Sequence, residues 1–285
     1  MRINRDTGTM KVISLGAGVQ STALLLMSIR GEIERADCAI FADTGWEPES
    51  VYAHLNRLMA YANEHDFTIH LVQNSSKRSV GNIKADHLRA VNGEVGRVSH
   101  MPLYSDAGTS GNMPLVRSCT IDYKIAPIEK KIRELLGLKP RQRIKPGTHV
   151  EQWFGITVDE MQRMRINKHK WITNKYPLID LRLDRLNCEK WLEREGWGTV
   201  PKSACVACPY HNDRMWRHIK DTDPSSWNEA VEFDKAMRKG DKLPGVKGNV
   251  YVHASRKPLD QVDLTTAEDH GQMSFLDECE GMCGV

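Results

Sequence analysis

The stretch Val12–Leu26 constrains the fold more than any other part of this 285-residue sequence. A short apolar run ends there at a small-residue turn, Gly16-Ala17-Gly18, and an apolar helical pattern follows directly. A strand, a glycine turn and a helix N-terminus in this order offer an anion unpaired backbone amides and the positive end of the helix dipole. The glycines let a phosphate approach the backbone closely, and Ser21 and Thr22 can add hydroxyl donors. The stretch therefore predicts a phosphate site.

The surrounding pattern predicts an α/β fold. The glycine turn itself is neither of the Walker type nor the dinucleotide fingerprint, because Gly-Lys-Ser/Thr and Gly-x-Gly-x-x-Gly are both absent. We predict strands at Val12–Leu15, Asp37–Ala42 and Phe67–Val72, and helices at Ser21–Arg30 and 48–64. This order indicates a parallel sheet with helices on both faces. Ligands of such sheets bind beyond the carboxyl ends of the strands, which places the glycine turn and Asp43-Thr44-Gly45 on the same rim.

The rest of the chain predicts a long loop, more elements of the sheet and a separate C-terminal part. Residues 74–116 are rich in Ser, Gly, Asn and basic residues, and we expect a loop region, either functional or a surface insertion, with one short helix at 81–91. Further predicted elements are a helix from Pro127, a strand at Glu151–Ile156, an extended segment at Tyr176–Leu181, a helix after the cap Asn187 and a helix opened by a capping box at Ser226–Glu229. We therefore divide the chain into an α/β domain, 1–200, and a cysteine-containing, helical or irregular extension, 201–285.

Composition is typical of a cytoplasmic globular protein. The net charge of +3 and the pI near 8.4 permit an anionic substrate without arguing for nucleic acid. The basic stretch Lys139–Lys145 could touch nucleic acid, but such residues are ordinary in a loop after a helix, and no nucleic-acid partner is inferred from it. The mean hydropathy is −0.50, and no apolar run approaches the roughly 18 residues of a membrane span. The first residues lack the apolar core of a signal peptide. We expect no membrane partner.

The seven cysteines predict metal or redox chemistry rather than disulfides, because an odd number with close pairs is a poor disulfide framework. Cys38 and Cys188 lie in apolar or helical contexts and are expected in the core. Two close pairs remain, Cys205 with Cys208 and Cys279 with Cys283. From spacing alone, a second interpretation remains: these four thiolates form a tetrahedral zinc site, in which His211 could replace one of them.

Five ordered segments resemble the PP-loop superfamily of adenine nucleotide alpha-hydrolase-like proteins, and in particular its phosphoadenosine phosphosulfate (PAPS) reductase branch. Ser14–Leu24 resembles the PP-loop itself, and Phe41–Ser50 is similar to the second motif of that branch. Ser118–Ile128 resembles its Cys-Cys…Lys…Pro-Leu segment, Gly155–Arg163 its Gly-Ile-Arg-x-x-Glu-Ser-x-x-Arg segment, and Cys205–Pro209 its second cysteine pair. Together the segments span most of residues 11–210.

The resemblance implies a HUP-type (Rossmann-like) fold that binds ATP or an adenylyl-sulfate, with Mg²⁺. It implies phosphate ligands at Gly16, Gly18, Ser21 and Thr22. Asp43 would lie near the adenosine or the Mg²⁺ ion, and Ser14, Gln20, Thr44 and Gly45 belong to the same predicted nucleotide site. Lys124 and Arg163 would contact the phosphates of the substrate. The usual Lys-Asp of the PP-loop is Val19-Gln20 here, and the missing acid weakens a direct Mg²⁺ contact from the loop.

The resemblance also implies a 4Fe–4S cluster on Cys119, Cys205 and Cys208. Ser118 replaces the first of the paired cysteines, so one iron would stay open unless Cys279 or Cys283 supplies the fourth thiolate. An open iron can present a sulfur nucleophile, which favours an ATP-dependent sulfur transferase that adenylates its acceptor.

Two alternatives to the transferase stay open. The first is a PAPS- or APS-type reductase, in which Cys279 or Cys283 acts as a catalytic C-terminal thiol. The second is a non-catalytic nucleotide- and zinc-binding subunit. The expected partners are an adenine nucleotide, a sulfur donor that the sequence does not identify, and an acceptor that is a nucleic-acid base or a small metabolite. A second copy of the chain is a further candidate partner.

Overall fold

The computed structural model describes residues 8–96, 100–107, 114–115, 117–238, 243, 246–265 and 269. They divide into two compact units. Unit 1 takes its described residues from Met1–Asp43, Glu49–Val72 and Ile125–Ser203, and unit 2 takes them from Thr44–Pro48, Gln73–Lys124 and Ala204–Val285. The structure thus groups most of the predicted loop region with the C-terminal part of the chain, whereas the sequence placed it in the first domain.

Unit 1 contains the parallel sheet that the sequence predicts. With strands numbered along the whole chain, its described strands are β1 (Thr9–Leu15), β2 (Cys38–Ala42), β3 (Ile69–Val72), β5 (His149–Phe154) and β6 (Ile172–Lys175). They pair in parallel in the order β3-β2-β1-β5-β6. The α/β, Rossmann-like fold class is therefore confirmed. The order places β1 at the centre of the sheet, between β2 and β5.

Helices cover both faces of this sheet. They are α1 (Val19–Arg30), α2 (Glu49–Glu64), α4 (Ala126–Leu135), α5 (Pro177–Asp180) and α6 (Arg185–Arg194). Successive strand side chains point to opposite faces, so β1 contributes to two cores. Ile13 and Leu15 pack in a cluster with α1, α2 and α6, whereas Met10 and Val12 pack with Ile128 and Ile132 of α4.

Unit 2 has a separate hydrophobic core around Trp46, Trp216 and Phe233. Its described elements are α3 (Ile83–Val91), β4 (Tyr104–Ser105), α7 (Asp213–Thr222), α8 (Pro224–Met237) and β7 (Val250–Tyr251). The strands β4 and β7 form a small antiparallel pair. Helix α3 confirms the short helix predicted at 81–91. A π-helical turn, Ile121–Ile125, precedes α4.

Three local predictions were wrong. The segment Tyr176–Leu181 was expected to be extended, but Pro177 occupies the first turn of the short helix α5, where a missing amide hydrogen costs nothing. Helix α6 is capped by Asp184 rather than Asn187, which is the third helical residue and completes a capping box. Helix α8 likewise begins earlier than predicted, since the side chain of Asp223 caps it by accepting the Ser226 amide.

The sequence predicts no membrane span, and the structure allows this to be examined for the described helices. Each is too short or too polar to cross a bilayer. The longest, α2, has 16 residues, whereas a span needs about 20.

Candidate functional site

The glycine turn of unit 1 connects the end of β1 to the start of α1. The backbone amides of Gly16 and Gly18 both donate to Ser21 Oγ at 3.2 Å, and that hydroxyl donates to the Gly18 carbonyl at 3.2 Å. Ala17 between them has a positive φ of 56°, a left-handed conformation that turns its neighbours' amides inward. The two amides therefore converge on Ser21 Oγ at the positive end of α1, so this hydroxyl occupies the predicted phosphate position in the structure, and its contact with a phosphate stays a prediction. We call this arrangement the anion loop, Gly16–Ser21.

Strand β5 supports the anion loop from one side. Gln152 Nε2 donates to Ser14 Oγ at 2.7 Å, and a Cβ atom at Gly155 would lie 2.6 Å from the Ser21 amide nitrogen. Only glycine allows the chain after β5 to lie this close to the start of α1. Sequence reasoning quoted Gly155 within a motif without giving it a role. The predicted strand Glu151–Ile156 contained Gly155, whereas β5 ends at Phe154. A glycine inside a predicted strand was the signal that could have found it.

Thr22 lies behind the loop rather than at its surface. The residue is fully buried, and its Oγ1 lies 3.0 Å from Nε2 of His54 on α2. Burial, with a smaller contribution from Arg57, lowers the pKa of His54 to about 4, so the ring is neutral at pH 7. The Thr22 side chain thus joins α1 to α2 in this structure, and its contact with a phosphate stays a prediction. Gln20 is also largely buried.

Asp43 and Arg163 follow the carboxyl ends of two strands that flank β1. Asp43 directly follows β2, and its Oδ1 accepts a 2.9 Å hydrogen bond from the Tyr52 hydroxyl. Arg163 ends a 3₁₀ helix after β5, and its guanidinium lies 2.7 Å from Oε1 of the buried Glu160. The predicted rim position is confirmed for Asp43. The substrate contacts of both residues stay predictions.

Unit 2 brings the three predicted cluster cysteines to one pocket. Cys119, Cys205 and Cys208 all line it, together with Thr44 and Lys124. The pocket holds about 410 Å³ of space free of atoms, part of it open to solvent. Among the described residues, no group of three or more His, Cys, Asp or Glu is already arranged to hold a metal ion. The three thiols share the lining of one pocket, and their role as cluster ligands stays a prediction.

A tight turn presents Cys205 and Cys208. The Cys208 amide donates to the Cys205 carbonyl at 3.0 Å, and the Val206 amide donates to the Trp46 carbonyl at 3.0 Å. His211 Nε2 lies 3.1 Å from the same Cys205 carbonyl, so it supports the turn. The role of His211 as a substitute zinc ligand stays a prediction.

The second motif supplies a hydroxyl to this turn. Thr44 Oγ1 lies 3.3 Å from Cys205 Sγ and donates to Oε1 of the buried Glu47 at 3.2 Å. Gly45 beside it has a positive φ of 72°, and a Cβ atom there would lie 2.9 Å from Asn82 Cα. In this structure Thr44 and Gly45 thus shape the cysteine pocket of unit 2, and their contact with a nucleotide stays a prediction.

The segment before α4 presents Cys119 and Lys124. Tyr123, between them in sequence, is buried and donates its hydroxyl to Asp86 Oδ2 at 2.5 Å. Burial, reinforced by Asp86, raises the pKa of Tyr123 far above its ordinary value, so the hydroxyl keeps its proton. The Ser118 hydroxyl accepts the His100 amide at 2.8 Å. A π-helical turn such as this one is often found at functional sites.

The other cysteines differ from the pocket thiols. Cys38 and Cys188 are fully buried, and burial raises the pKa of each to about 12, so neither is a thiolate at neutral pH. Their predicted place in the core is confirmed. Cys279 and Cys283 lie outside the described residues, so their roles as ligands, nucleophiles or zinc partners stay predictions.

Comparisons with known proteins do not identify the function of this chain. No protein-family model matches the sequence. No curated protein matches it either. Among solved structures, the chain is similar to the U34-tRNA thiolase NcsA from Methanococcus maripaludis with its [4Fe-4S] cluster, at 11% identity and a TM-score of 0.42, over 86% of this chain and 77% of that one. A likeness this remote assigns neither a family nor an activity to the chain.

Proposed function

We propose that the chain is an ATP-dependent sulfur transferase, which adenylates an acceptor and transfers sulfur to it with a 4Fe–4S cluster. The observation that carries the proposal is the single pocket lined by Cys119, Cys205 and Cys208. The anion loop of unit 1 and the resemblance to PP-loop proteins support the nucleotide half of the reaction. The acceptor class, a nucleic-acid base or a small metabolite, is part of the proposal.

The proposed cluster has three protein ligands, and the shared pocket of Cys119, Cys205 and Cys208 supports it. Ser118 stands where the related motif has a further cysteine, and its hydroxyl accepts the His100 amide. A cluster bound by three thiolates supplies an open iron position that can activate a sulfur nucleophile. The Thr44 hydroxyl donates to Oε1 of Glu47 and lies 3.3 Å from Cys205 Sγ, so it can accept a hydrogen bond from that thiol and fix the position of its side chain.

The anion loop fits the phosphates of ATP. A phosphate oxygen there would accept the two amide hydrogen bonds that Ser21 Oγ accepts in this structure. In the proposed reaction, an acceptor carbonyl oxygen attacks the α-phosphorus and pyrophosphate leaves. The sulfur nucleophile then displaces AMP from the activated carbon. The loop amides stabilise the negative charge of the phosphates throughout.

Charged side chains complete the proposed machinery. Lys124 lines the cysteine pocket and would attract an anionic group there. Arg163, held by Glu160, would contact the substrate's phosphates. Because Val19-Gln20 replaces the usual Lys-Asp, Asp43 is the acid we propose for Mg²⁺.

The test uses the full chain, reconstituted with iron and sulfide under anaerobic conditions. ATP, sulfide and a set of candidate nucleosides, nucleic acids and metabolites are added, and pyrophosphate release and sulfur-containing products are measured. We expect both with the wild type and with Cys188→Ala. We expect Cys208→Ser to lose the sulfur product. ATP binding without pyrophosphate release or product would contradict the transferase and favour a nucleotide-binding subunit.

The same assay separates the reductase alternative. That alternative depends on Cys279 or Cys283, both outside the described residues. A reductase would convert an adenylyl-sulfate to sulfite and AMP in the presence of a thiol reductant, without splitting ATP. Sulfite formation that is lost in Cys279→Ser or Cys283→Ser would replace the transferase by the reductase.

A further inference from the structure

The charge of this chain is unevenly distributed. Residues 139–175 contain nine Lys and Arg but only three Asp and Glu, a formal charge of +6. The whole chain carries only +3, so the remaining residues are together net negative. A concentrated charge of one sign destabilises the folded state through self-repulsion, unless a ligand of opposite sign offsets it.

The basic residues lie on two neighbouring loops of unit 1. The loops lead into the adjacent parallel strands β5 and β6, and the Val150 amide donates to the Trp171 carbonyl at 2.9 Å between them. Helix α4 contacts both loops, because Arg133 donates to the Gln142 carbonyl and Glu129 pairs with Lys168 at 3.0 Å. The loops therefore form one surface. We call it the basic patch, and it consists of Lys139, Arg141, Arg143, Lys145, Lys168 and Lys170.

Most of the patch is exposed and uncompensated. All its side chains except that of Lys168 are without an ion pair within the described part of the chain, and all six residues are exposed. The first loop is nevertheless ordered, since the Gln142 amide donates to the Lys139 carbonyl and the Lys139 amide donates to Gln142 Oε1 at 2.9 Å. The cations are thus displayed on a defined backbone.

An apolar side chain stands beside the patch. Ile166 is 99% exposed and Met164 is 38% exposed. The backbone between them is held in place, because the Tyr176 hydroxyl donates to the Arg165 carbonyl at 2.8 Å and accepts its amide at 2.9 Å. Asn174 Nδ2 donates to the same carbonyl at 2.8 Å. The isoleucine is therefore held in solvent by an ordered segment, flanked by cations.

We infer that the basic patch binds nucleic acid with unpaired bases. Its Lys and Arg side chains contact phosphates, and Ile166 and Met164 contact the face of a base, where apolar contact is independent of sequence. The observations favour nucleic acid over a lipid surface, since the described segment beside the patch exposes few large apolar side chains, namely Met161, Met164 and Ile166. The apolar residues of α4, Ile128 and Ile132, are instead buried in the core. The inference goes beyond the proposed function and needs neither ATP nor a cluster.

The test measures the affinity of the full chain, without ATP, for a labelled single-stranded oligonucleotide and for its duplex by fluorescence anisotropy. The triple variant Arg141→Gln, Arg143→Gln, Lys145→Gln should bind the single strand at least about tenfold more weakly at low salt. It should also reduce the slope of log affinity against log salt by about two, at about 0.7 per lost phosphate contact. Ile166→Ser should weaken binding of the single strand and spare the duplex.

The matched control removes the same charge elsewhere on unit 1. Arg182→Gln, Lys190→Gln, Arg194→Gln changes three exposed cations and should keep the wild-type affinity. Equal losses in the two triple variants would overturn the inference, as would the absence of wild-type binding to either oligonucleotide at low salt. Stronger binding to vesicles of anionic lipid than to oligonucleotides, lost in the patch variant, would assign the surface to membranes instead. Circular dichroism checks that each variant is folded.

Discussion

The anion loop of unit 1 and the cysteine pocket of unit 2 are built in opposite ways. The loop is local, Gly16–Ser21, and the groups that we propose for phosphate are backbone amides, which converge on Ser21 Oγ in this structure. The pocket is assembled from side chains far apart in sequence, such as Thr44, Cys119 and Cys208. A site made of backbone should fail when an added atom moves the backbone. A site made of side chains should fail when one donor is removed.

The largest effect should follow the loss of one pocket thiol. Cys208 lines the pocket, and Cys208→Ser replaces its soft thiolate ligand with a hydroxyl. We expect iron content and visible absorbance to fall to background after reconstitution. ATP affinity should be unchanged. Cys188→Ala is the control, because that buried thiol lies outside the pocket and should leave iron content intact. A Cys208→Ser protein with a full complement of iron would contradict the claim that the side chains of the pocket hold the iron.

The next largest effect should come from one carbon atom beside the loop. Gly155→Ala places a Cβ 2.6 Å from the Ser21 amide nitrogen, so the start of α1 must shift. Overpacking of this kind costs about 1–3 kcal/mol, and we expect ATP affinity to fall about tenfold, as measured by calorimetry. Gly96→Ala is the control, since an added Cβ there meets nothing within 4 Å. Wild-type ATP affinity in Gly155→Ala would mean that the loop amides do not bind the nucleotide.

A smaller effect should follow a change in the lining of the pocket. Tyr123→Phe removes the hydroxyl that donates to the buried Asp86, so a carboxylate loses one of its donors. We expect about 1–3 kcal/mol of lost stability in urea unfolding and faster loss of iron to a chelator. Tyr251→Phe, at a residue with no hydroxyl hydrogen bond in the described chain, should change neither quantity. Iron loss at the wild-type rate in Tyr123→Phe would show that this contact does not position the pocket.

The smallest effect concerns pH and the support of the loop. The pKa of His54 is about 4 in the folded chain against an ordinary value of 6.5, so unfolding takes up a proton between these values. Stability should therefore fall as the pH is lowered from 6.5 towards 4, by up to about 1.4 kcal/mol per pH unit from this group. His54→Gln should flatten that part of the urea-unfolding profile. Identical profiles for wild type and His54→Gln would contradict the burial of a neutral imidazole there.

The contrast between loop and pocket also explains what the sequence could predict. The strand, turn and helix around Gly16 follow from local periodicity, and the parallel sheet follows from the order of such units. The segment Tyr176–Leu181 was mistaken for extended chain because short apolar runs do not distinguish helix from strand, and Pro177 decided the matter. The caps Asp184 and Asp223 were missed because another polar residue close by offered an equally good local pattern.

The site could be predicted only where the resemblance or the local pattern named a residue. The cysteines of the pocket were found through their motifs, whose segments lie far apart in the chain. Gly155, His54 and Asp86 were missed because their roles depend on contacts across the fold, which single-sequence periodicity does not contain. The basic patch was interpreted as ordinary surface for the same reason, since the second loop and Ile166 join it only in three dimensions.

The central claim is that the three pocket thiols hold an iron–sulfur cluster, and metal analysis with electron paramagnetic resonance tests it most directly. The full chain is purified and reconstituted without oxygen, and iron, sulfide and zinc are counted before and after reduction. We predict brown protein with about four irons per chain and a signal of a reduced 4Fe–4S cluster, absent in Cys208→Ser. Colourless protein with about one zinc per chain and no such signal would contradict the account.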